Sequence, residues 1–405
     1  MKQLEWRFTR RHGLGAMAAL ALTGCATTRQ LSGPPFGEVA APRGSAALLL
    51  ERRLGEIVAE QNVVTAGVGV IKHGKLVWSA YFGAQSPGVP ASAATRFNAA
   101  SITKTVAAET ILRLVGQGRL SLDESMAKYW VDPDIAGDPR RFDLTPRIAL
   151  THKTGFANWR FFRRDGKLAF ERAPGVSYGY SGEGFQYLAR FAEKKLGKPF
   201  PQLVDETVLK PVGMAHTDFT VRAENAEKIA RPIDEGGVFY GYFCRPEGKA
   251  FCRKQGDWSA AADMTTTVQD YAAFLVAVMD ADGYGPAIAS DRDRVQSDKG
   301  SERVVHCEDA AKSPCPVEQG YGLGFNVLKY DGVTVLEHGG ADWAQLAVAY
   351  FYKPSRDGVI IFLNAPNRRA LEAMPGMLAL VDPTSPLLGE YSRWLERAKA
   401  SEVKP

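Results

Sequence analysis

The sequence predicts an α+β fold, an α/β sandwich in which helices flank one antiparallel β-sheet and a mostly helical domain is inserted. Two β-rich segments meet at the turn His73-Gly74, and several more follow between residues 319 and 364. Residues 98–318 instead carry helical patterns and long loops that contain Gly and Pro. Because each group of strands has an apolar face to bury, the early hairpin and the late strands are best joined in one sheet.

The chain begins with a segment that has the order of an export signal. Its basic residues are Lys2, Arg7, Arg10 and Arg11. The uncharged run 13–24 follows, and it is too short for an ordinary transmembrane helix. The run leads into Leu-Thr-Gly-Cys25, which resembles the lipobox of bacterial lipoproteins, where the cysteine carries the lipid. We therefore expect residues 1–24 to be a lipoprotein signal peptide and Cys25 to be lipidated.

The same resemblance implies an exported protein that a lipid anchors to the membrane of the cell envelope, on the periplasmic side. Ala26 takes the place of the aspartate that signals inner-membrane retention in such lipoproteins. An outer-membrane location is therefore expected where the host has two membranes. Residues 9–14 also resemble a twin-arginine signal, so the export route stays open.

Residues 25–44 lack a hydrophobic period and are rich in Pro and Gly, which is typical of a mobile tether. Removing residues 1–24 takes away a net charge of +3 and lowers the formal charge of the chain from +5 to +2. A slightly positive globule gives no reason to expect a nucleic-acid partner.

Helical and β patterns divide the rest of the chain. An amphipathic helix from about Ser45 and the hairpin place residues 45–97 in the α/β domain, together with residues 319–381, which hold the late strands and a covering helix. Residues 98–318 form the mostly helical inserted domain, and residues 382–405 form a C-terminal tail helix.

Two close pairs of cysteines follow Cys25, and they share one separation: Cys244 with Cys252, and Cys307 with Cys315. In an exported protein this pattern suggests local disulfides. Four cysteines allow three pairings, and we favour a bond within each close pair because a short loop loses least entropy on closing. Free thiols are the alternative, whereas the separation does not match a usual zinc site.

Ser101 and Lys104 open a long apolar helical pattern. Because they stand three residues apart, their side chains project from one face of a first helical turn. A serine hydroxyl becomes a nucleophile when a base takes its proton, and a lysine amine can do so only when it is neutral. Partial burial and the positive end of the helix dipole would lower the lysine pKa. The spacing alone is not specific, since Ser125 and Lys128 share it.

Tyr180 and His338 are further candidates for catalysis. Tyr180 stands at the predicted start of a helix that Gly197 ends, where a phenol can exchange a proton with a nearby amine or hydroxyl. His338 is followed by two glycines, which let another backbone approach, and by a strand whose edge could offer amide hydrogens to a substrate. A G-x-S-x-G nucleophile pattern fails at Ser181, because Glu183 takes the place of the second glycine.

These segments occur together in the order and rough spacing of the β-lactamase-related serine hydrolases, the superfamily of class C β-lactamases, penicillin-binding peptidases and related esterases. The pieces that carry the resemblance are FNAASITKTVAAETILRLVGQGRLSLDE, LTPRIALTHKTGF, PGVSYGYSGEGFQYL, SAAADMTTTVQDYAAFL, YGLGF, and HGG followed by VIIFLN. The similarity spans about residues 45–380. It implies a β-lactamase/transpeptidase-like fold with the active site in a cleft between the sheet domain and the helical domain.

By this resemblance Ser101 is the acylated nucleophile, Lys104 is its motif partner, and Tyr180 shares the acid and base work with the lysine. His338 begins the third motif, and the amide hydrogens of Ser101 and Ala341 form the oxyanion hole. The implied activity is hydrolysis of a small acyl substrate through an acyl-enzyme, without a cofactor or a bound metal.

Gly182 stands where the second motif of the family commonly ends in asparagine. It has no side-chain amide to donate to the acyl amide of a penicillin or a peptide. His338, which replaces the more common lysine, would lose its attraction for a substrate carboxylate above the imidazole pKa. An ester is therefore slightly favoured as substrate over a β-lactam or a peptide-like amide.

The alternative function is that of a noncatalytic, membrane-tethered protein of the same fold that binds ligands or maintains the envelope. His152 matches a family segment outside the catalytic motifs and is expected to be structural. Trp159 and other aromatic residues in loops could form walls of the acyl pocket. The sequence leaves the oligomeric state open.

Overall fold

The computed structural model describes residues 35–246, 251–309 and 314–402. The predicted signal peptide (1–24), Cys25 and the tether as far as residue 34 lie outside the described residues. The described residues form one compact unit. One apolar cluster continues from Phe362 in the sheet to Ile111 in the helical region. The two regions expected as separate domains therefore share a continuous core.

The strands are β1 (Thr65–Lys72), β2 (Lys75–Ser86), β3 (Val89–Pro90), β4 (Phe97–Asn98), β5 (Cys244–Arg245), β6 (Phe251–Cys252), β7 (Thr265–Thr266), β8 (Glu318–Tyr321), β9 (Asn326–Lys329), β10 (Thr334–Asp342), β11 (Gln345–Lys353) and β12 (Gly358–Asn364). The main sheet is antiparallel, with the strand order β3-β2-β1-β12-β11-β10-β9-β8. β4 pairs with β7, and β5 pairs with β6. The early hairpin joins the late strands through β1 and β12, which confirms the predicted fold class.

The α-helices are α1 (Gly44–Glu60), α2 (Thr103–Gly116), α3 (Pro146–Leu150), α4 (Gly182–Leu196), α5 (Phe200–Val204), α6 (Lys210–Val212), α7 (Val268–Met279), α8 (Gly285–Arg292), α9 (Asn367–Val381) and α10 (Leu388–Glu402). A π-helical stretch, Asp205–Leu209, joins α5 to α6. The tail helix expected within residues 382–405 corresponds to α10.

The hairpin turn has the backbone that its sequence predicts. His73 and Gly74 have φ angles of 51° and 74°, so both residues are left-handed. Two-residue turns of this kind match the twist of the strands they connect. The turn fixes β2 against β1, and β1 then lies in the middle of the sheet.

Helices cover both faces of the sheet. On one face Val68 of β1 and Ile361 of β12 pack with Leu371 of α9 in one apolar cluster. On the other face β1 presents glycine instead of a side chain, and α7 lies so close that a Cβ on Gly69 would be 2.6 Å from Val268. Glycine in a strand permits this close approach.

Residues 35–43 differ from the mobile tether expected for them. Val39 is fully buried, and its amide donates a hydrogen bond to Asp357 at 2.9 Å. Lys72 forms ion pairs with the same carboxylate at 2.7 Å and with Glu38 at 3.0 Å. The prediction of a free tether is wrong for this segment, because partners distant in sequence bury a stretch that has no period of its own.

The structure has both expected disulfides, Cys244–Cys252 and Cys307–Cys315. The first joins β5 to β6, where the two cysteines stand directly opposite each other. Within the described ranges, no helix has the length and apolar character needed to cross a membrane.

Candidate active site

Ser101 lies in a short 3-10 turn, Ala100–Ile102, directly before α2. Ala100 has a φ of 44°, in the left-handed region that non-glycine residues rarely adopt. The side chain of Asn98 accepts a hydrogen bond from the amide of Ala100 at 2.9 Å and holds this backbone in place. Since Asn98 ends β4, which pairs with β7, the serine is presented by a constrained turn.

Lys104 lies in the first turn of α2 and is 1% exposed. Its Nζ is 3.2 Å from the hydroxyl of Ser101 and 2.8 Å from the carbonyl oxygen of Ala261. Burial lowers the pKa of Lys104 to about 7, and the charge of Asp263 acts in the opposite direction. Near neutral pH a large fraction of this lysine is therefore the free amine, which can accept a proton.

Tyr180 precedes α4, whose first turn is capped by Ser181 through a hydrogen bond from the amide of Gly184 at 3.0 Å. The amine of Lys104 lies over the Tyr180 ring, 4.6 Å from its centroid. Burial raises the pKa of Tyr180 above its usual range, and a hydrogen bond with Ser101 opposes that change. The phenol is thus protonated at neutral pH and contacts the serine hydroxyl.

His152 supports the segment that carries Tyr180. Its Nδ1 accepts a hydrogen bond from the amide of Ser181 at 3.1 Å, and its ring centroid is 4.4 Å from that of Tyr180. Burial lowers the pKa of His152 well below its usual range, so the imidazole is neutral. These contacts are those of a structural residue.

His338 lies on β10 and is 3% exposed. Its Nδ1 is 2.6 Å from the carbonyl oxygen of Gly339, and its Nε2 is 3.0 Å from the hydroxyl of Tyr321. A carbonyl can only accept, so Nδ1 donates and Nε2 accepts from the tyrosine. Burial lowers the pKa of His338 to about 3, and the charge of Lys104 adds to the effect. The imidazole is therefore uncharged at neutral pH.

The second half of β10 has an open edge. β11 pairs with β10 along its whole length, whereas β9 pairs with it only as far as Glu337. Residues 338–342 therefore lie beyond the end of the β9 pairing. Gly340 brings this edge against Ser101, because a Cβ on it would lie only 3.1 Å from the amide nitrogen of that serine.

A cavity of about 340 Å³ lies at this edge. It brings together all the residues predicted to act in catalysis: Ser101, Lys104, Tyr180, His338 and Ala341. Five further lining residues lie in no motif that indicated a site: Asn158, Asn326, Glu390, Tyr391 and Trp394. The sequence predicted the helix that carries the last three, but no pattern in it indicated where that helix packs.

In the part of the chain that the structure describes, no group of three or more His, Cys, Asp or Glu residues is placed to hold a metal ion.

Trp159 occupies the space beside Gly182. A Cβ on Gly182 would lie 2.4 Å from the indole Cζ2. The amide of Gly182 donates to the side-chain oxygen of Asn158 at 2.9 Å. Arg160 holds the same loop on α4 through an ion pair with Glu183 at 3.0 Å. The missing side chain at position 182 is therefore what lets an aromatic residue line the cavity at this point.

We predict that Gly182→Ala lowers the free energy of unfolding by about 1 to 3 kcal/mol, because the added Cβ forces Trp159 to move. Denaturant unfolding measures the loss. Trp159→Ala removes the obstacle, so the double variant should lose less than the sum of the two single losses. Strictly additive losses would contradict a clash between these two residues.

The overall fold has known counterparts. It matches the octameric penicillin-binding protein homologue from Pyrococcus abyssi with a TM-score of 0.66 and 21% identity, over 89% of this chain and 82% of that one. This likeness concerns the fold alone, and it places the chain in the β-lactamase/transpeptidase-like class.

Sequence relatives indicate the protein family within this fold class. The chain is 28% identical to Esterase EstB of Burkholderia gladioli over 222 residues, which is 47% of this chain and 56% of the relative. It is 27% identical to a Beta-lactamase of Pseudomonas fluorescens over 195 residues, which is 45% and 53% of the two chains. The chain thus spans about half the length of these curated relatives. The model of the Beta-lactamase family matches residues 50–380. The protein belongs to the Beta-lactamase family, as its motifs predicted.

Proposed function

We propose that the protein is a serine hydrolase that forms an acyl-enzyme on Ser101, and that an ester is favoured over a β-lactam or a peptide-like amide. The proposal depends on one observation above all, the buried Lys104 amine 3.2 Å from the Ser101 hydroxyl. Burying a lysine is unfavourable for stability. A lysine whose pKa is lowered to about 7 beside a hydroxyl is the arrangement that general-base catalysis requires.

In the first half-reaction the Ser101 oxygen attacks the carbonyl carbon while the neutral Lys104 amine takes the hydroxyl proton. The amide hydrogens of Ser101 and Ala341 receive the negative charge of the carbonyl oxygen. The proton then passes to the leaving alcohol or amine, directly or through the phenol of Tyr180. A water molecule next gives a proton to Lys104 and attacks the acyl carbon. The bond from that carbon to the Ser101 oxygen then breaks, Lys104 returns the proton to this oxygen, and the acid is released.

Lys104 and Tyr180 have different roles because of their protonation states. Burial disfavours the phenolate of Tyr180 and the ammonium of Lys104 alike. The resting site therefore pairs a neutral amine, which is the base, with a neutral phenol, which hands protons on. Tyr180 acts in this scheme as a proton carrier and hydrogen-bond donor.

Two features support an ester as substrate. The neutral His338 gives no attraction for the carboxylate that penicillins and D-alanyl peptides carry. The indole of Trp159 fills the space beside Gly182, so no side-chain amide projects from that position. Among the relatives, EstB of B. gladioli is named an esterase and the P. fluorescens protein a Beta-lactamase, so their names alone do not decide between these substrates.

Two active-site probes test the proposal. The full-length chain in detergent is incubated with a fluorophosphonate and with a fluorescent penicillin, and each adduct is located by peptide mass mapping. We expect a fluorophosphonate adduct on Ser101 and hydrolysis of short-chain esters ahead of cephalosporins and D-alanyl peptides. Penicillin labelling with cephalosporin turnover would replace the ester assignment. No adduct on Ser101 from either probe would favour the noncatalytic binding protein.

We also propose that this hydrolase acts at the cell envelope, held there by a lipid on Cys25. The support is the order of charges and apolar residues before that cysteine. Recovery of a Cys25→Ser variant in the membrane fraction, at the level of the wild type, would argue against the anchor.

A further inference from the structure

The helix α10 forms one wall of the active-site cavity. It begins at Leu388, after the residues that the family model matches. Glu390, Tyr391 and Trp394 from its first two turns line the cavity together with Ser101. This wall is therefore built by a segment outside the matched part of the chain, and it can give the site a specificity of its own.

The two faces of β10 explain how α10 reaches the cavity. Successive side chains of a strand point to opposite faces. Gly340 faces the Ser101 turn, whereas a Cβ on Gly339 would lie 3.1 Å from the hydroxyl of Tyr391. The nucleophile and α10 therefore lie on opposite sides of the same open strand edge. A substrate bound at this edge would contact both Ser101 and α10.

The carboxylate of Glu390 faces this space without a partner. No described residue forms a hydrogen bond or an ion pair with it, although the side chain is partly buried. Removing a carboxylate from water is unfavourable unless a direct partner compensates, and a cationic ligand in the cavity would supply that partner. Its position in the first turn of α10 favours the ionised form, because the helix dipole is positive there.

Four basic groups act on Glu390 through their charge: Lys299, Arg393, Arg397 and His306. Lys299 donates to the side-chain oxygen of Asn326 at 2.8 Å, and Arg393 donates to the carbonyl oxygen of Val304 at 2.8 Å. Arg397 is exposed, and the ring of His306 lies 3.2 Å from Glu308. Burial raises the pKa of Glu390 above its usual value, and the charges of these groups only partly oppose that change.

Glu337 is the second carboxyl near this wall. It precedes His338 on β10 and is 2% exposed. Burial, with the charge of Glu390 adding to it, raises the pKa of Glu337 to about 8. The two carboxyls titrate as a coupled pair, and a positive charge placed beside them would favour the loss of a proton from that pair.

The charge balance of the cavity favours a cation. Among the described lining residues, the basic side chains are Lys104, whose pKa is lowered, and His338, which is neutral; no arginine lines the cavity. Trp159 and Trp394 add aromatic surface, which attracts ammonium groups through the ring face.

We propose that Glu390 binds an ammonium group of the substrate, so that the preferred substrates are esters or amides of amino acids whose amine is free. This inference rests on the proposed hydrolase function, since it names the class of acyl donor for the same nucleophile. The reaction is ordinary hydrolysis: one water is consumed, and an acid and an alcohol or amine are released.

A pair of substrates that differ only in the ammonium group tests the inference. Alanine ethyl ester, as the D and the L isomer, is compared with ethyl propionate, and the hydrolysis of each by the full-length enzyme is followed as acid release. Glu390→Gln keeps the size of the side chain and removes its charge. We expect the ratio of kcat/KM for alanine ethyl ester over ethyl propionate to fall by about 10- to 100-fold in this variant.

Glu396→Gln is the matched control, because Glu396 is an exposed residue of the same helix. It removes the same charge and should leave the ratio unchanged. Glu390→Asp, which keeps the charge on a shorter side chain, should retain part of the preference and covers the case in which Glu390→Gln folds poorly. An unchanged ratio in Glu390→Gln overturns the ammonium site while ester hydrolysis remains. A wild-type enzyme that hydrolyses neither ester and takes no fluorophosphonate contradicts the hydrolase function instead.

Discussion

Ser101→Ala should abolish acylation and lower kcat by about 10⁴-fold or more, while the unfolding temperature stays near that of the wild type. The hydroxyl is the group that forms the covalent bond, and no neighbour can replace it. The structural loss is small, since Lys104 keeps its hydrogen bond to the carbonyl of Ala261. Intact-mass measurement after fluorophosphonate treatment, with thermal unfolding beside it, checks both parts. Turnover that persists in this variant would contradict the assignment of the nucleophile.

Ser181→Ala is the control for this prediction. Ser181 also lies close to Tyr180, but its hydroxyl caps α4 by accepting the amide hydrogen of Gly184 and donates to the carbonyl of Ala157. Loss of such a cap costs about 1 kcal/mol. The control variant should therefore unfold at a lower temperature yet still take the adduct on Ser101. The two serines thus separate a chemical role from a structural one.

The architecture could be predicted because its main features are local in sequence. The turn at His73 and Gly74 and the apolar character of the late strands both follow from short segments. Joining them in one sheet needed only the general tendency of sheets to bury an apolar face. The packing of residues 35–43 could not be predicted in this way. Val39 is held by Asp357, which stands 318 positions along the chain, and no local pattern indicates such a contact.

The proposed nucleophile, Ser101, illustrates what a spacing can and cannot predict. Ser125 and Lys128 have the same separation as Ser101 and Lys104. Lys128 is exposed, and Ser125 donates to the carbonyl of Phe142 at 2.7 Å. Lys104 is buried instead, with its amine beside the hydroxyl of Ser101. The two pairs differ in tertiary burial. The surrounding motifs, not the spacing, therefore had to indicate which pair is the candidate for catalysis.

The motifs did not predict which side chains line the cavity around Ser101 and Lys104. The sequence shows that position 182 has no side chain. It does not show that the indole of Trp159 fills this space, because that contact depends on how a loop folds over α4. The same holds for Glu390 and Trp394. Their helix could be predicted from its amphipathic pattern, yet its position at the β10 edge is set by packing between segments that are distant in sequence.

Lys104→Met should lower kcat by about 10²- to 10⁴-fold, since it removes the general base while leaving the nucleophile in place. In the wild type, activity should rise as the pH passes through about 7, because the lysine acts only after it loses its proton and its pKa is lowered to about 7 by burial. The pH profile of kcat/KM measures this limb. A profile that is flat between pH 6 and 8 would show that the titrating base is another group.

The same substitution should stabilise the protein at low pH. The folded pKa of Lys104, about 7, lies below its ordinary value of 10.5, so the unfolded chain binds the extra proton between these values and stability rises with pH across that window. Below pH 7 the folded protein carries a buried ammonium, at a cost of roughly 5 kcal/mol for a shift of this size. Loss of the hydrogen bond to Ala261 costs only about 1 kcal/mol, so removing the charge dominates. Lys104→Met should therefore unfold at a higher temperature than the wild type at pH 6, by a margin that shrinks towards pH 10. A variant less stable than the wild type at pH 6 would mean that the amine is not desolvated, and the base assignment would lose its physical ground.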